Sequence, residues 1–433
     1  MHASKVNVLL IGSGGREHAL AHGLRRSPRL GNLFTDGQNP GILSLAQRAE
    51  VPVNPKDPHD LRKFCLTQRI GLVVIGPEEP LAAGLADVLS EGSKVGGGLQ
   101  APVPAVFGPV RAGAMLEADK AFAKELMRGA AIPTAESRTF TDPDAARAFL
   151  ASRAEPWVIK AAGLAKGKGV FVPATQAEAL SAIDRVMVKR EFGEAGRVVV
   201  IEERLKGREI SVFALCDGRT IYVLDACQDH KRLGNGATGP NTGGMGAICP
   251  APAIDARLMA RIEREVLVPT VDALKREGID YRGVLYAGLM LTPAGPKVLE
   301  YNCRFGDPEC QVLVRRFEGD LLDTMLATAE RRLDKAEFGW KPGAAVCVVL
   351  AAAGYPDKPR AGDVIEGLDA AAGVEGVEVF HAGTARDNQG RIVTAGGRVL
   401  NVTAVGATAE EARARAYRAA ELIRFEGKRY RTD

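Results

Sequence analysis

Leu299-Glu300-Tyr301-Asn302-Cys303-Arg304-Phe305-Gly306-Asp307-Pro308-Glu309 is the stretch on which the reading of this chain turns. Residues 297–302 read as a strand, and on a strand Glu300, Asn302 and Arg304 project to one face. Asn is disfavoured at the centre of a strand, so its presence asks for a reason. A carboxylate and an amide oxygen two residues apart suit Mg²⁺, which prefers oxygen ligands and shares them with substrate phosphates. Arg304 can then steady a transferring phosphoryl group. The plainer alternative is an edge strand with a polar face.

Upstream, Lys160-Ala161-Ala162-Gly163-Leu164-Ala165-Lys166-Gly167-Lys168-Gly169 joins two expected strands, 156–160 and 169–172. It does not match a P-loop, and a strand follows it instead of a helix. A glycine-rich loop between antiparallel strands can fold over nucleotide phosphates, with lysines to neutralise them. A solvated hairpin tip is the alternative. In Ile201-Glu202-Glu203-Arg204-Leu205-Lys206-Gly207-Arg208-Glu209, Glu202 ends a strand where backbone amides can meet an adenine edge, and Glu209 can accept from ribose hydroxyls. Charges around a turn are more often simply solvated. Gln228-Asp229-His230-Lys231-Arg232 and Gly239-Pro240-Asn241-Thr242-Gly243-Gly244-Met245-Gly246 belong to a polar, glycine-rich segment, 229–252. Loops of that length are functional or disordered, and this one can close over small substrates.

The N-terminus opens on an apolar run, 6–11, then Gly12-Ser13-Gly14-Gly15-Arg16-Glu17-His18 and a helix over 17–26. Amides at a helix start bind anions. A dinucleotide fingerprint needs Gly where Glu17 stands, although Asp36 lies at the distance of a ribose-binding acid. A phosphate site, a weakened dinucleotide site and a tight structural turn all remain open at this loop. A second buried strand, 72–75, ends at Gly76-Pro77, and this βα alternation argues for a parallel, doubly wound sheet.

The 433 residues correspond to about three domains at roughly 150 residues each. Residues 93–104 read as a Gly/Pro-rich linker. Thr175 to Glu178 forms a capping box starting a helix to about 188; strands follow at 198–203, 209–216 and 220–226, then a helix over 255–276 and a strand over 284–291. The last ~95 residues form a third unit with strands at 344–351 and 398–404 and a helix over 409–423. A net charge of +4, without a dense basic run, implies no nucleic-acid partner. No stretch of 18 uncharged apolar residues predicts a membrane span. Seven cysteines without a CxxC argue against a zinc ribbon or disulfide framework and fit a reduced cytoplasm.

Together these segments resemble the ATP-grasp superfamily, and more closely the phosphoribosylamine–glycine ligases, or glycinamide ribonucleotide synthetases, within it. The likeness covers almost the whole chain. It rests on Gly14 to Ala19, Gly76-Pro77-Glu78-Glu79-Pro80-Leu81, Gln228 to Arg232, Gly239 to Gly246, Arg304 to Glu309 after Glu-x-Asn, and the ending Phe425 to Asp433. The resemblance implies an α/β chain: an N-terminal doubly wound parallel sheet domain (1–106), a central ATP-grasp fold (107–337) with a mobile flap lobe at about 129–199, and a small C-terminal α+β domain (338–433).

It further implies that ATP, glycine and 5-phosphoribosylamine give glycinamide ribonucleotide, ADP and phosphate through a glycyl phosphate, in purine synthesis. By the same resemblance Glu300 and Asn302 hold Mg²⁺ or Mn²⁺, and Lys120, Lys160, Gly163, Gly167, Lys168, Gly169, Glu202, Leu205 and Glu209 bind ATP. Arg304 is catalytic; Gly15, Arg16 and Glu17 hold phosphoribosylamine; Asp229, Lys231, Asn241, Thr242 and Gly243 border the glycine site. The expected assembly is a monomer or a dimer in the cytoplasm. The family has Asp where Ala162 stands, a small residue at Lys166, and Gly-Ser where Ala118-Asp119 stand. Three rivals remain: a carboxylase of biotin or purine metabolism, which lacks the 228–232 and 239–246 strings; a dinucleotide-dependent oxidoreductase; and a non-catalytic nucleotide sensor.

Overall fold

The run Val6–Ile11 is apolar on both faces because it becomes an inner strand of a parallel sheet covered on two sides. The computed structural model describes residues 4–91, 94–95, 99–100, 103–165 and 167–433. The parallel sheet has the order Gln47–Arg48, Leu30–Thr35, Val6–Ile11, Ile70–Ile75, Ala105–Phe107. The helix Gly15–Arg25 follows the first strand directly. The expected linker 93–104 lies partly outside the described residues, and within it Lys94–Val95 pairs antiparallel with Leu99–Gln100.

A four-stranded antiparallel sheet comes next, ordered Val170–Phe171, Val158–Ala161, Val199–Glu202, Ser137–Phe140. It has a core of its own, in which Phe149, Trp157, Ile159, Val199 and Ile201 are buried together. Thr175 caps the helix Gln176–Ile183 through its hydroxyl, which accepts from Glu178 N at 3.2 Å. The Glu178 carboxylate reaches back to Ala174 N, one residue earlier than the expected box.

The central sheet is antiparallel, ordered Ile221–Val223, Arg208–Asp217, Arg282–Thr292, Gly295–Asn302. Its last pairing carries a register shift beside Glu300, which pairs with Gly288 while Val298 pairs with Leu289. The helix expected over 255–276 is capped by Asp255 and runs through a widened turn, Glu263–Leu267. That turn precedes Pro269, whose missing N–H already interrupts the regular ladder.

The segment 229–252 is not one long loop. Gln228–Asp229 and Gly246–Cys249 are strands, and Arg232–Gly234 pairs with Thr238–Asn241 as a hairpin. The first two join the sheet of the last unit, ordered Gln228–Asp229, Gly246–Cys249, Ala344–Ala351, Arg398–Gly406, Val377–His381. The helix Glu309–Arg316 lies between that sheet and the helix Gly15–Arg25. One core therefore runs from Val8 and Leu10 through Cys310 and Leu313 to Val349 and Phe380. Among the described residues no helix is long and apolar enough to cross a membrane.

Gly246 is where the borrowed strand meets its neighbour most closely: a Cβ there would stand 2.6 Å from the carbonyl oxygen of Cys347. Gly246→Ala is expected to cost about 1–3 kcal/mol through this overpacking, read as a lower urea midpoint at an unchanged slope.

Candidate functional site

Glu202 ends its strand with a buried carboxylate between two lysines. Lys124 Nζ, from the helix Lys120–Gly129, lies 2.7 Å from its Oε2, and Lys160 forms an ion pair with Oε1. Lys160 also donates to the carbonyl oxygen of Leu299 at 3.0 Å, tying the sheet of Val158–Ala161 to the strand that carries Glu300. Lys124 donates to Thr134 Oγ1 at 2.8 Å. Buried charges of this kind persist only when paired.

Lys120 follows Asp119, whose carboxylate caps the helix by accepting from Ala121 N and Phe122 N, so the departure from Gly-Ser there has a structural use. Lys120 N donates to Ala162 O at 2.9 Å and its Nζ to Gly163 O at 3.3 Å. Gly163 is pinned, since a Cβ would stand 2.6 Å from Ala195 Cα. Gly167, at φ +73°, has open space around it, and Lys168 is exposed. Gly169 accepts from Ala161 N at 2.8 Å. Lys166 lies outside the described residues.

Glu300 faces three ammonium groups. Lys231, then Lys160 and Lys120, hold its carboxyl down at about 2 against the opposing effect of burial. Lys231 Nζ stands 3.4 Å from Glu300 Oε1 and 3.4 Å from Glu209 Oε2, so it bridges the two carboxylates. The carbonyl of Lys231 accepts from Thr242 N at 2.7 Å and from its hydroxyl at 2.8 Å. Gly243 N donates to Tyr355 Oη at 3.0 Å, and Arg398 donates to Gly243 O. Leu205 is half-buried in the loop between its strands, whereas Asn241 is exposed on the hairpin and stays outside these contacts. Asp229 is half-buried, with Oδ1 sealed from water and unpartnered; desolvation, then the charge of Glu309, pushes its carboxyl well up.

Arg304 lies beyond the end of the strand Gly295–Asn302. It donates to Glu117 Oε1 at 2.7 Å and to Phe305 O at 3.2 Å, and its Nε lies 3.3 Å from Glu78 Oε2. Arg16 is buried alongside: its Nε donates to Glu17 Oε1 at 2.6 Å and its Nη1 to Phe305 O at 3.1 Å. Glu17 Oε2 accepts from Gly14 N at 2.7 Å, and Asp307 Oδ2 accepts from Arg16 N at 3.2 Å. Two carboxylates therefore already occupy amides at this helix start, where a dinucleotide pyrophosphate would have to sit. Asp36 is likewise engaged, accepting from Gly12 N at 2.8 Å. A Cβ at Gly15 would stand 2.0 Å from Asn401 Nδ2, and that closeness fixes the glycine.

Sequence reasoning missed Lys124, Glu78, Glu117, Glu309 and Arg398. Glu309 accepts from Ser211 Oγ at 2.9 Å and from Tyr286 Oη at 2.7 Å. Only Glu309 and Glu78 sat inside quoted motifs; Lys124 and Glu117 look like ordinary helix charges until their partners are placed.

A glycine-rich loop between antiparallel strands, facing a second antiparallel sheet with lysines between them, is the ATP-grasp architecture. Three family models match along the chain: the N domain of phosphoribosylglycinamide synthetase over residues 6–117, its ATP-grasp (A) domain over 118–310 and its C domain over 345–433. The chain belongs to the phosphoribosylglycinamide synthetase family. It is 48% identical over 439 residues to the phosphoribosylamine–glycine ligase of Rhodopirellula baltica, covering 99% of this chain and 97% of that protein. It is 49% identical to that of Caulobacter vibrioides over 99% and 97%. The crystal structure of phosphoribosylamine–glycine ligase from Thermotoga maritima superposes with a TM-score of 0.82 at 35% identity, covering 99% of this chain and 100% of that one. The biotin carboxylase domain of 2-oxoglutarate carboxylase from Hydrogenobacter thermophilus superposes at 0.73 with 16% identity, over 99% and 92%, a likeness of fold alone.

Lys124→Met leaves the buried Glu202 with one lysine in place of two. The expected loss is about 1–3 kcal/mol of stability, measured as a lower urea midpoint; an unshifted midpoint would show that Lys160 alone satisfies the carboxylate.

Proposed function

We propose that the protein joins glycine to 5-phospho-D-ribosylamine with ATP, giving N1-(5-phospho-D-ribosyl)glycinamide, ADP and phosphate, in de novo purine (IMP) biosynthesis in the cytoplasm. The observation that carries this reading is Glu300 set among Lys120, Lys160 and Lys231, with Asn302 ending its strand and Arg304 just beyond, in a chain matched by its family's models over 6–310 and 345–433.

ATP would lie between the flap sheet and the central sheet. Lys160 and Lys120 would meet its phosphates under the 163–169 loop, and the end of the Glu202 strand with Leu205 and Glu209 would hold adenine and ribose. Glu300 and Asn302 offer one carboxylate and one amide oxygen, hard donors that suit Mg²⁺ or Mn²⁺. No cluster of three His, Cys, Asp or Glu among the described residues holds a metal by itself. The pair therefore fits an ion that completes its shell with phosphate oxygens. Such an ion, when bound, shields the β- and γ-phosphate charge.

A free carboxylate does not yield oxide to an amine at a useful rate, so activation comes first. A glycine carboxylate oxygen attacks the γ-phosphorus, the bond to the ADP oxygen breaks, and glycyl phosphate forms beside Arg304, whose guanidinium stabilises the charge. The amine of phosphoribosylamine then attacks the acyl carbon, phosphate leaves with the carboxylate oxygen, and the amine proton passes to solvent. The protein's part is positioning and charge neutralisation. Asp229, Lys231 and residues 241–243 would border glycine; Gly15, Arg16 and Glu17 would face the sugar phosphate.

Two outcomes test this. Glycine labelled with ¹⁸O in its carboxylate should pass one labelled oxygen to the released phosphate; unlabelled phosphate with full product would exclude glycyl phosphate. Glu300→Gln and Asn302→Ala should each lower kcat by about a thousandfold or more, within the range that charge stabilisation supplies, with the melting temperature nearly unchanged. Near-normal turnover of both at low Mg²⁺ would remove them as the metal's ligands.

A further inference from the structure

The guanidinium of Arg304 is held by two carboxylates that come from different parts of the chain. Glu117, near the end of the helix Arg111–Ala118, has its side chain only 8% exposed. Its Oε1 accepts from Arg304 Nη2 at 2.7 Å, and its Oε2 accepts from Cys303 N at 2.8 Å. It therefore grips both the backbone and the side chain of the turn that leaves the metal-ligand strand. Glu78, the first residue of the short helix Glu78–Ala82 after the parallel strand Ile70–Ile75, stands 3.3 Å from Arg304 Nε. The carbonyl of Phe305 takes one N–H of Nη1 at 3.2 Å.

A guanidinium has five N–H groups in a rigid plane. Glu117 and Phe305 engage one each, on Nη2 and Nη1, while Glu78 stands beside Nε as a charge partner without a hydrogen bond, so each Nη keeps a second N–H unengaged. A guanidinium with a free N–H on each Nη can meet two oxygens of a phosphoryl or acyl phosphate group side by side. Removing Glu117 would free the guanidinium to rotate and release the Cys303 turn as well. Glu117 also lies three residues before Lys120, which bonds Ala162 O and Gly163 O at the base of the flap loop. One short segment thus fixes both the arginine and the flap's foot.

We propose that Glu117 is a positioning residue for Arg304, with Glu78 of the N-terminal unit as its second arm, so that the pair aims a free N–H fork at the transferred phosphoryl group. This rests on the role given to Arg304 above. A carboxylate that only stabilised the fold would lower stability without a specific loss in kcat.

The test is a double-mutant cycle on kcat, with melting temperatures measured alongside. Arg304→Ala is expected to lower kcat about a thousandfold, the order seen for loss of a preorganised donor. Glu117→Gln alone should lower kcat about fiftyfold, with KM for ATP within about twofold, because the lysines that meet ATP are untouched. On top of Arg304→Ala, Glu117→Gln should cost less than about twofold, because its effect passes through the missing guanidinium. Glu78→Gln should show the same pattern with a smaller loss, about fivefold alone, and carries the cycle if Glu117→Gln fails to fold. Losses that multiply in the double variants, or wild-type kcat in Glu117→Gln, would overturn the proposal while leaving the ligase reading intact. A wild-type protein that releases no phosphate on adding glycine and phosphoribosylamine would overturn both.

Discussion

The meeting of the two antiparallel sheets depends on one buried carboxylate. Glu202 holds Lys124 on one side and Lys160 on the other, and Lys160 in turn reaches Leu299 O. The helix Lys120–Gly129, the sheet of Val158–Ala161 and the central sheet thereby meet at a single charge cluster sealed from water. Desolvating three charges is costly, and the arrangement holds because each has a partner at hydrogen-bond distance. It also presets where further charge is welcome. Lys160, already paired with Glu202, acts on Glu300 together with Lys120 and Lys231, so lysines outnumber the carboxylates they face and the field there favours an incoming polyanion.

Carboxylates play the opposite part at the N-terminal loop. Glu17 and Asp307 accept the amides at the start of the helix Gly15–Arg25, and the guanidinium of Arg16 pairs with Glu17 beside them. The Glu that spoils the dinucleotide pattern is thus the residue that completes the helix start. A Cβ at Gly12 or Gly76 would stand 2.8 or 2.1 Å from its side chain, so those glycines make room for it.

The elements with strong local signals were legible in the sequence. Val6–Ile11, Ala344–Ala351 and Ala409–Leu422 declare themselves by apolar runs or helical periodicity, and the Thr175 cap by its spacing. Glu300 and Asn302 were legible because a polar strand face conflicts with propensity, whereas Arg304, expected on the same face, lies past the strand's end in the turn that Glu117 holds. What stayed hidden is what depends on distant partners. Gly246–Cys249 has no strand signal beyond its neighbours and becomes a strand only against Ala344–Ala351. Glu117 and Lys124 sit on helices where a charged residue is unremarkable, and only the fold shows them buried. Asn241, which belongs to a recognisable string, stands apart from the charge cluster because the hairpin turns it outward.

The borrowed strands have a consequence for how the chain is made. Gly246–Cys249 leaves the ribosome roughly 100 residues before Ala344–Ala351, its partner, exists, so the nascent chain must carry an unpaired strand edge for that interval. The sheet of the last unit cannot close from its own sequence alone: cut free, it would expose the edge of Ala344–Ala351, and the remainder would carry the pair Gln228–Asp229 and Gly246–Cys249 with its outer edge uncovered. The segments of this protein are therefore laced together like a single garment, and a piece that evolution or an engineer wished to exchange would have to take residues 228–249 with it.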